Sequence, residues 1–337
     1  MKAFFHPAQD LHIPETFFSR GKMRQPQEVP DRTRRMLEGL KVMGVPVLQP
    51  TDHGAGPISR VHDLGYLRFL ESAHRRWMEL DDWGDEVMSN IYVRSPNHLH
   101  GILAEAARYL ADGSSPIGAH TWEAAYWSAQ AALSAADAVM AGERTAYAVC
   151  RPPGHHARRD AAGGFCYLNN SAIAAQHMTA RFPRLAILDT DMHHGQGIQD
   201  IFYKRSDVLY ISIHGDTTNF YPGVTGFEDE RGEGEGYGYN INMPMPHGST
   251  EEHFFGKLEE AMAAVRLFQP DALVLPLGFD IYQNDIQAKV AVTTEGFCRL
   301  GNRISRAGLP MLVVQEGGYD LAALSINVQQ FFKGLNA

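Results

Sequence analysis

A chain of 337 residues, 44% apolar and 20% charged, has the balance of a globular protein and the length of a large α/β sheet built as one domain, residues 1–337. A net charge of −9 argues against nucleic acid as a partner and leans slightly towards a cationic substrate. With no N-terminal charged-then-apolar signal, no apolar run of about 18 residues and only three scattered cysteines (Cys150, Cys166, Cys298), the expectation is a cytoplasmic protein, without membrane span, disulfide framework or thiolate zinc site.

The first predicted strand is Lys2–His6. A long loop-like segment follows from His12 to Asp31, punctuated by Pro14, Pro26 and Pro30. Apolar periodicity then predicts a helix over Thr121–Met140, with Gly142 placed to stop it. Further strands are predicted at Thr145–Cys150, Leu185–Leu188, Val208–Ile213, Asp271–Leu275 and Pro310–Val314. Helices over Asn169–Arg181, Thr250–Phe268 and Thr294–Arg306 alternate with them, and Ser249 with Glu252 has capping-box spacing before the second of these. Such alternation predicts an open, mostly parallel sheet with helices on both faces, and sheets of that kind place their chemistry beyond the carboxyl ends of their strands.

Polar motifs fall at those ends. Arg151-Pro152-Pro153-Gly154-His155-His156 follows the Thr145 strand, and Asp189-Thr190-Asp191-Met192-His193-His194-Gly195 follows Leu185–Leu188. Ser212-Ile213-His214-Gly215-Asp216 closes the Val208 strand. Leu277-Gly278-Phe279-Asp280 and Gln315-Glu316-Gly317-Gly318-Tyr319-Asp320 follow the last two. Singly, each also reads as a solvated loop, a helix cap or a packed turn. Together they put titrating or metal-binding groups at one rim. In extended chain Asp191 and His193 face one side, with Asp189 behind them, and oxygen and nitrogen donors of this kind suit zinc. Asp191, His193 and Asp280 supply three ligands and leave a position for water, whose proton a nearby histidine takes. Adjacent histidines provide two imidazoles, one basic and one held charged by a carboxylate such as Asp189. Tyr319, on a flexible glycine-glycine hinge, offers a donor to an oxyanion.

The stretches RPPGHHA, GGFCYLNN, DTDMHHGQG, SIHGD, FYPGVTGFEDERGEGEGYGYNINMPMP, LGFD and EGGYD resemble the arginase–deacetylase superfamily, more narrowly the zinc-dependent histone deacetylase family. FFHPAQDLHIPETFF, EVPDR and GAHTWEAAYWSAQAAL look like its bacterial acetylpolyamine amidohydrolases. The resemblance implies that one zinc per chain is held by Asp191, His193 and Asp280, with His156 the general base and acid. It implies that His155, paired with Asp189, is the electrostatic histidine and that Tyr319 stabilises the transition state. Phe165 and Tyr221 would wall the acyl-amine stem, and Gly164 would offer its carbonyl to the scissile N–H. It also implies a structural potassium ion on backbone oxygens of Asp189, Asp191, His193, Ser212 and Ile213, and a homodimer in which the 12–31 segment shapes the channel.

The expected substrate is an N-acetylated polyamine or other small acylated amine. The alternative is an acetyl-lysine side chain, as in a protein or peptide lysine deacetylase. Three departures stand out. Gln196 replaces the usual Asp or Asn behind the second histidine, and Asp285-Ile286 replaces Asp-Pro, which loosens a turn without touching a ligand. On an ungapped alignment Phe17 replaces a substrate-binding glutamate, with Glu15 the acid nearest to substitute. A two-manganese ureohydrolase is disfavoured, since Gly195 and Tyr282 stand where bridging aspartates are needed. A silent acyl-amine sensor is disfavoured by the presence of His155, His156 and Tyr319.

Overall fold

The computed structural model describes residues 1–93 and 99–337. Numbered in chain order, the strands of its main sheet are β1 (Lys2–Phe4), β2 (Val47–Leu48), β3 (Thr145–Ala148), β4 (Leu185–Asp189), β5 (Val208–Gly215), β6 (Asn240–Met245), β7 (Ala272–Leu277) and β8 (Met311–Gln315). They lie in the order β2-β1-β3-β8-β7-β4-β5-β6, and every neighbouring pair is parallel. The parallel sheet predicted from the alternation is therefore present, with two edge strands that the sequence pattern did not disclose.

Period-two alternation divides the central strands between two cores. Leu185, Ile187, Val274, Leu312 and Val314 point to one face, against the helices Thr121–Met140 and Asn170–Met178. Ala186, Leu188, Leu273, Leu275 and Val313 point to the other, against Asp31–Val42, Glu251–Phe268, Thr294–Ser305 and Leu324–Leu335. Burial on both faces explains why these strands read as continuous apolar runs. Each fully buried Leu, Ile or Val adds ~1.5–3 kcal/mol, so the central strands anchor the rim that follows them.

Helix ends agree with the predicted ones to within a few residues, with one correction. The cap of Glu251–Phe268 is Thr250, whose hydroxyl accepts from the His253 N–H. Ser249 instead donates to the Pro246 carbonyl. Gly142 does end the helix before it, at φ 107°. The segment from His12 to Asp31 is not all loop: Phe17–Ser19 and Lys22–Arg24 pair antiparallel around Arg20 and Gly21, both at positive φ.

Candidate active site

The site is built at the carboxyl ends of five strands that are contiguous in the sheet: β3, β8, β7, β4 and β5. Being parallel, they deliver their following loops to one rim. Beyond Asp189 the chain leaves the strand and bends, so Asp191 and His193 do not converge by extended-chain periodicity. Carboxylate-to-backbone bonds hold the bend: Asp189 Oδ1 accepts from Asp191 N at 3.1 Å, and Asp191 Oδ1 from His193 N at 2.9 Å.

Asp191, His193 and Asp280 meet there, all buried, with one potential ligand atom from each within 4.8 Å of the others. Among the described residues no other cluster of three does so. His193 Nδ1 lies 3.2 Å from Asp191 Oδ1 and 3.1 Å from Asp280 Oδ2. The opposite oxygens are fixed by backbone: Asp191 Oδ2 accepts from Gly317 N at 2.7 Å, and Asp280 Oδ1 from Met192 N at 3.0 Å. Burial and the charge of Asp191 push the Asp280 carboxyl up to about 7. Burial opposes ionisation of Asp191 too, but the His155 and His193 imidazoles hold it well below the carboxylate range. For His193, burial is outweighed by the two carboxylates, which raise it to about 9. Two buried carboxylates facing one imidazole nitrogen are costly without a positive charge between them, and the O,N,O donor set fits a divalent ion such as zinc.

His155 and His156 stack at 3.9 Å between ring centroids yet have opposite electrostatics. Burial disfavours the charged form of His155, but Asp191 and Asp189 more than compensate and raise it to about 10. Its Nδ1 lies 3.0 Å from Asp189 Oδ2, and Tyr210 donates to the same oxygen at 3.1 Å. Burial lowers His156 far below its ordinary value, and the neighbouring charges on His155 and His193 add to the effect. His156 Nδ1 is 2.7 Å from Gln196 Oε1. Because Gln196 Nε2 donates to Tyr221 Oη at 3.2 Å, the amide is oriented, and Nδ1 is the protonated nitrogen of a neutral ring. Nε2 is left as the acceptor.

His156, His193 and Tyr319 line the buried end of a cavity of about 730 Å³. Its walls are Gly164, Phe165, Phe220 and Tyr221. Tyr221 stands edge-on to His156 at 4.8 Å, and Phe165 edge-on to both Phe17, at 5.1 Å, and Tyr319, at 6.1 Å. Phe165 holds φ 68°, uncommon for a side chain of its size. All ten residues that the sequence analysis singled out for catalysis, metal or substrate are at this site.

Three sequence readings need amending. The Gly317-Gly318 turn is not a flexible hinge. A Cβ on Gly317 would lie 2.6 Å from carboxylate oxygens of both Asp191 and Asp280, so glycine is there for close approach. Arg32 pins the turn by donating to the Gly318 and Glu316 carbonyls at 2.6 and 2.5 Å. Asp285 does more than begin a loosened turn, since its Oδ2 accepts from Tyr319 N at 2.6 Å and Asp320 N at 2.9 Å. Glu15 is exposed and does not line the cavity, whereas Phe17 does, so Glu15 does not replace the missing acid. His214 is buried between Ser212 Oγ and the Gly226 carbonyl, away from the cavity.

The sequence reading missed Phe220, Asp112 and Glu316. Phe220 stacks on His193 at 4.7 Å. Asp112 accepts from Tyr221 Oη at 2.7 Å. Glu316, pushed up to about 7 by burial, accepts from Gly154 N at 2.7 Å and His155 N at 3.0 Å. A glutamate directly at a strand end, beside two glycines, was the available signal for the last.

The sequence matches the model of the histone deacetylase domain over residues 26–335. It is 63% identical to acetylpolyamine amidohydrolase of Burkholderia pseudomallei, covering 100% of this chain and 99% of that one. It is 42% identical to acetylpolyamine amidohydrolase 1 of Pseudomonas aeruginosa, covering 96% and 95%. The crystal structure of acetylpolyamine aminohydrolase from Burkholderia pseudomallei superposes with a TM-score of 0.99, over 100% of this chain and 99% of that one.

Proposed function

The chain belongs to the histone deacetylase domain family and is a deacetylase, and from that premise we propose that it is a zinc-dependent amidohydrolase that removes acetyl groups from N-acetylated amines such as acetylpolyamines. The observation that carries this reading is the pair of adjacent histidines, one backed by a carboxylate and one by an amide, beside a buried O,N,O cluster at the closed end of an aromatic-walled cavity.

Asp191, His193 and Asp280 would hold the zinc, which as a Lewis acid polarises the acyl carbonyl and makes water acidic near neutrality. His156 takes the proton of the attacking water on Nε2, because Nδ1–H is committed to Gln196. Gln196 holds the ring and its hydrogen bond favours the charged form, but lacking charge it raises the basicity less than a carboxylate would. His155 stays protonated through Asp189 and Asp191 and lends positive charge as the oxyanion develops. Tyr319 donates its hydroxyl to that oxyanion; burial keeps the phenol protonated far above its ordinary range. Gly164 offers its carbonyl to the scissile N–H while Phe165 and Tyr221 clamp the stem. His156 then returns its proton to the leaving nitrogen.

An acetyl-lysine side chain presents the same acyl-aminoalkyl stem, and the wall residue Phe17 supplies no carboxylate to select a polyamine tail, which favours hydrolysis of acetyl-lysine as a second activity. We assign a single domain, a cytoplasmic setting in which the three free cysteines stay reduced, and a structural potassium ion on backbone oxygens of Asp189, Asp191, His193, Ser212 and Ile213. A homodimer is supported by exposed Leu11, Ile13, Phe18 and Met23 on and before the hairpin. Acetate release from acetylputrescine, acetylspermidine and an acetyl-lysine peptide is the test. The reading requires release from at least the first two; a zinc-loaded protein that hydrolyses none of them contradicts it.

A further inference from the structure

The open end of the cavity reverses the sign of the protein. The chain as a whole carries −9, yet among the described residues the arginines, lysines and carboxylates that line the cavity are Arg20, Arg24 and Asp112 alone. The carboxylate is consumed locally. Asp112 Oδ2 accepts from Tyr221 Oη at 2.7 Å and Gly164 N at 3.2 Å, while Oδ1 accepts from Ser114 N at 2.8 Å and Ser114 Oγ at 2.5 Å. The arginines are not. Arg24 is half-buried and commits its Nε to the Ser19 carbonyl at 3.2 Å, which leaves both terminal amines for a ligand. Arg20 is exposed at the hairpin turn, and among the described residues neither arginine pairs with a carboxylate. Among the described residues, a tail leaving the aromatic stem therefore meets two guanidinium groups and no free anion.

Resting on the deacetylase reading above, we propose that the protein also hydrolyses acylated amines whose far end is a carboxylate, the ω-acetamido carboxylates, and that Arg20 and Arg24 recognise that end. The reaction balances as ordinary hydrolysis. The amide C–N bond breaks, water gives its hydroxyl to the acyl carbon and a proton to the leaving nitrogen, and the products are acetate and an ω-amino carboxylate. Guanidinium suits the task because its planar donors match a carboxylate bidentately.

Three probes with one stem isolate the tail: δ-acetamidovalerate (anionic), N-pentylacetamide (neutral) and N-acetylcadaverine (cationic), with homologues longer by one to three methylenes. The expected kcat/KM for the anionic probe exceeds that for the neutral one by about two- to fivefold per arginine engaged, the range of an exposed pair, and the advantage shrinks at high salt. In Arg20→Gln/Arg24→Gln the anionic-to-neutral ratio should fall to about one, while Arg24→Lys, which keeps the charge, should retain most of it. A wild-type ratio at or below one at every stem length, or a ratio that the double substitution leaves unmoved, overturns the proposal. Binding of δ-acetamidovalerate against N-pentylacetamide by calorimetry reads the same ratio without turnover. Failure of the deacetylase reading, seen as no acetate from any probe, is thereby distinguishable from failure of this one.

Discussion

His155 and His156 are one residue apart, and the carboxylate behind one and the amide behind the other give them different work. Asp191 and Asp189 keep His155 charged, whereas Gln196 orients His156, which burial and two positive neighbours keep neutral. Tyr319 completes the set, and among the described residues its hydroxyl has no hydrogen bond to a ligand carboxylate. Tyr319→Phe should therefore lose about 10²–10³-fold in kcat, the usual loss for one oxyanion donor, with zinc content and fold unchanged. Elemental analysis beside steady-state kinetics checks this, and near-normal turnover would make Tyr319 a packing residue.

At the scale of elements, the loop after β8 is held from outside itself. Arg32 takes its carbonyls and Asp285 takes the N–H groups of Tyr319 and Asp320, so the tyrosine is placed by residues remote in sequence. Asp285→Ala leaves those N–H groups without their acceptor. It should lower stability by ~1–3 kcal/mol and reduce kcat while zinc content holds; urea denaturation and metal analysis would show it. Wild-type stability and turnover together would mean that Arg32 alone fixes the turn. This division also explains what the sequence discloses. The central strands are legible because Leu185, Val274 and Val313 lie in runs buried on both faces. The Val47–Leu48 strand is not, being two residues long and partly exposed, and Asn240–Met245 hides its edge-strand nature behind Asn and Pro244. The Asp191-His193-Asp280 cluster is legible because two of its members share one short motif. Asp112 and Phe220 are not, because their roles come from contacts with Tyr221 and His193 that only the fold creates.

For the molecule as a whole, buried neutral histidines set the acid limit. His62 accepts from Asn169 N on Nε2 at 2.9 Å, which requires that nitrogen to be unprotonated, and burial lowers it from 6.5 to about 4. His12 and His214 are lowered to about 4 by burial as well. Between these values the unfolded chain binds protons that the folded chain refuses. Stability from these groups is therefore fully present above pH 6.5 and is lost as pH falls towards 4, by up to ~1.4 kcal/mol per pH unit for each group. His62→Gln should lose less stability than the wild type between pH 7 and pH 5 in urea denaturation. Equal losses would mean that His62 titrates normally.

Deacetylation is expected to depend on a single metal ion held by Asp191, His193 and Asp280. Stripping the protein with a chelator, titrating it with zinc and following acetate release from acetylputrescine tests this. Activity should rise in proportion to zinc, break at one equivalent per chain and stay flat or decline beyond it. Activity that is independent of added metal in the stripped protein, or that appears only as a second equivalent binds, would contradict it.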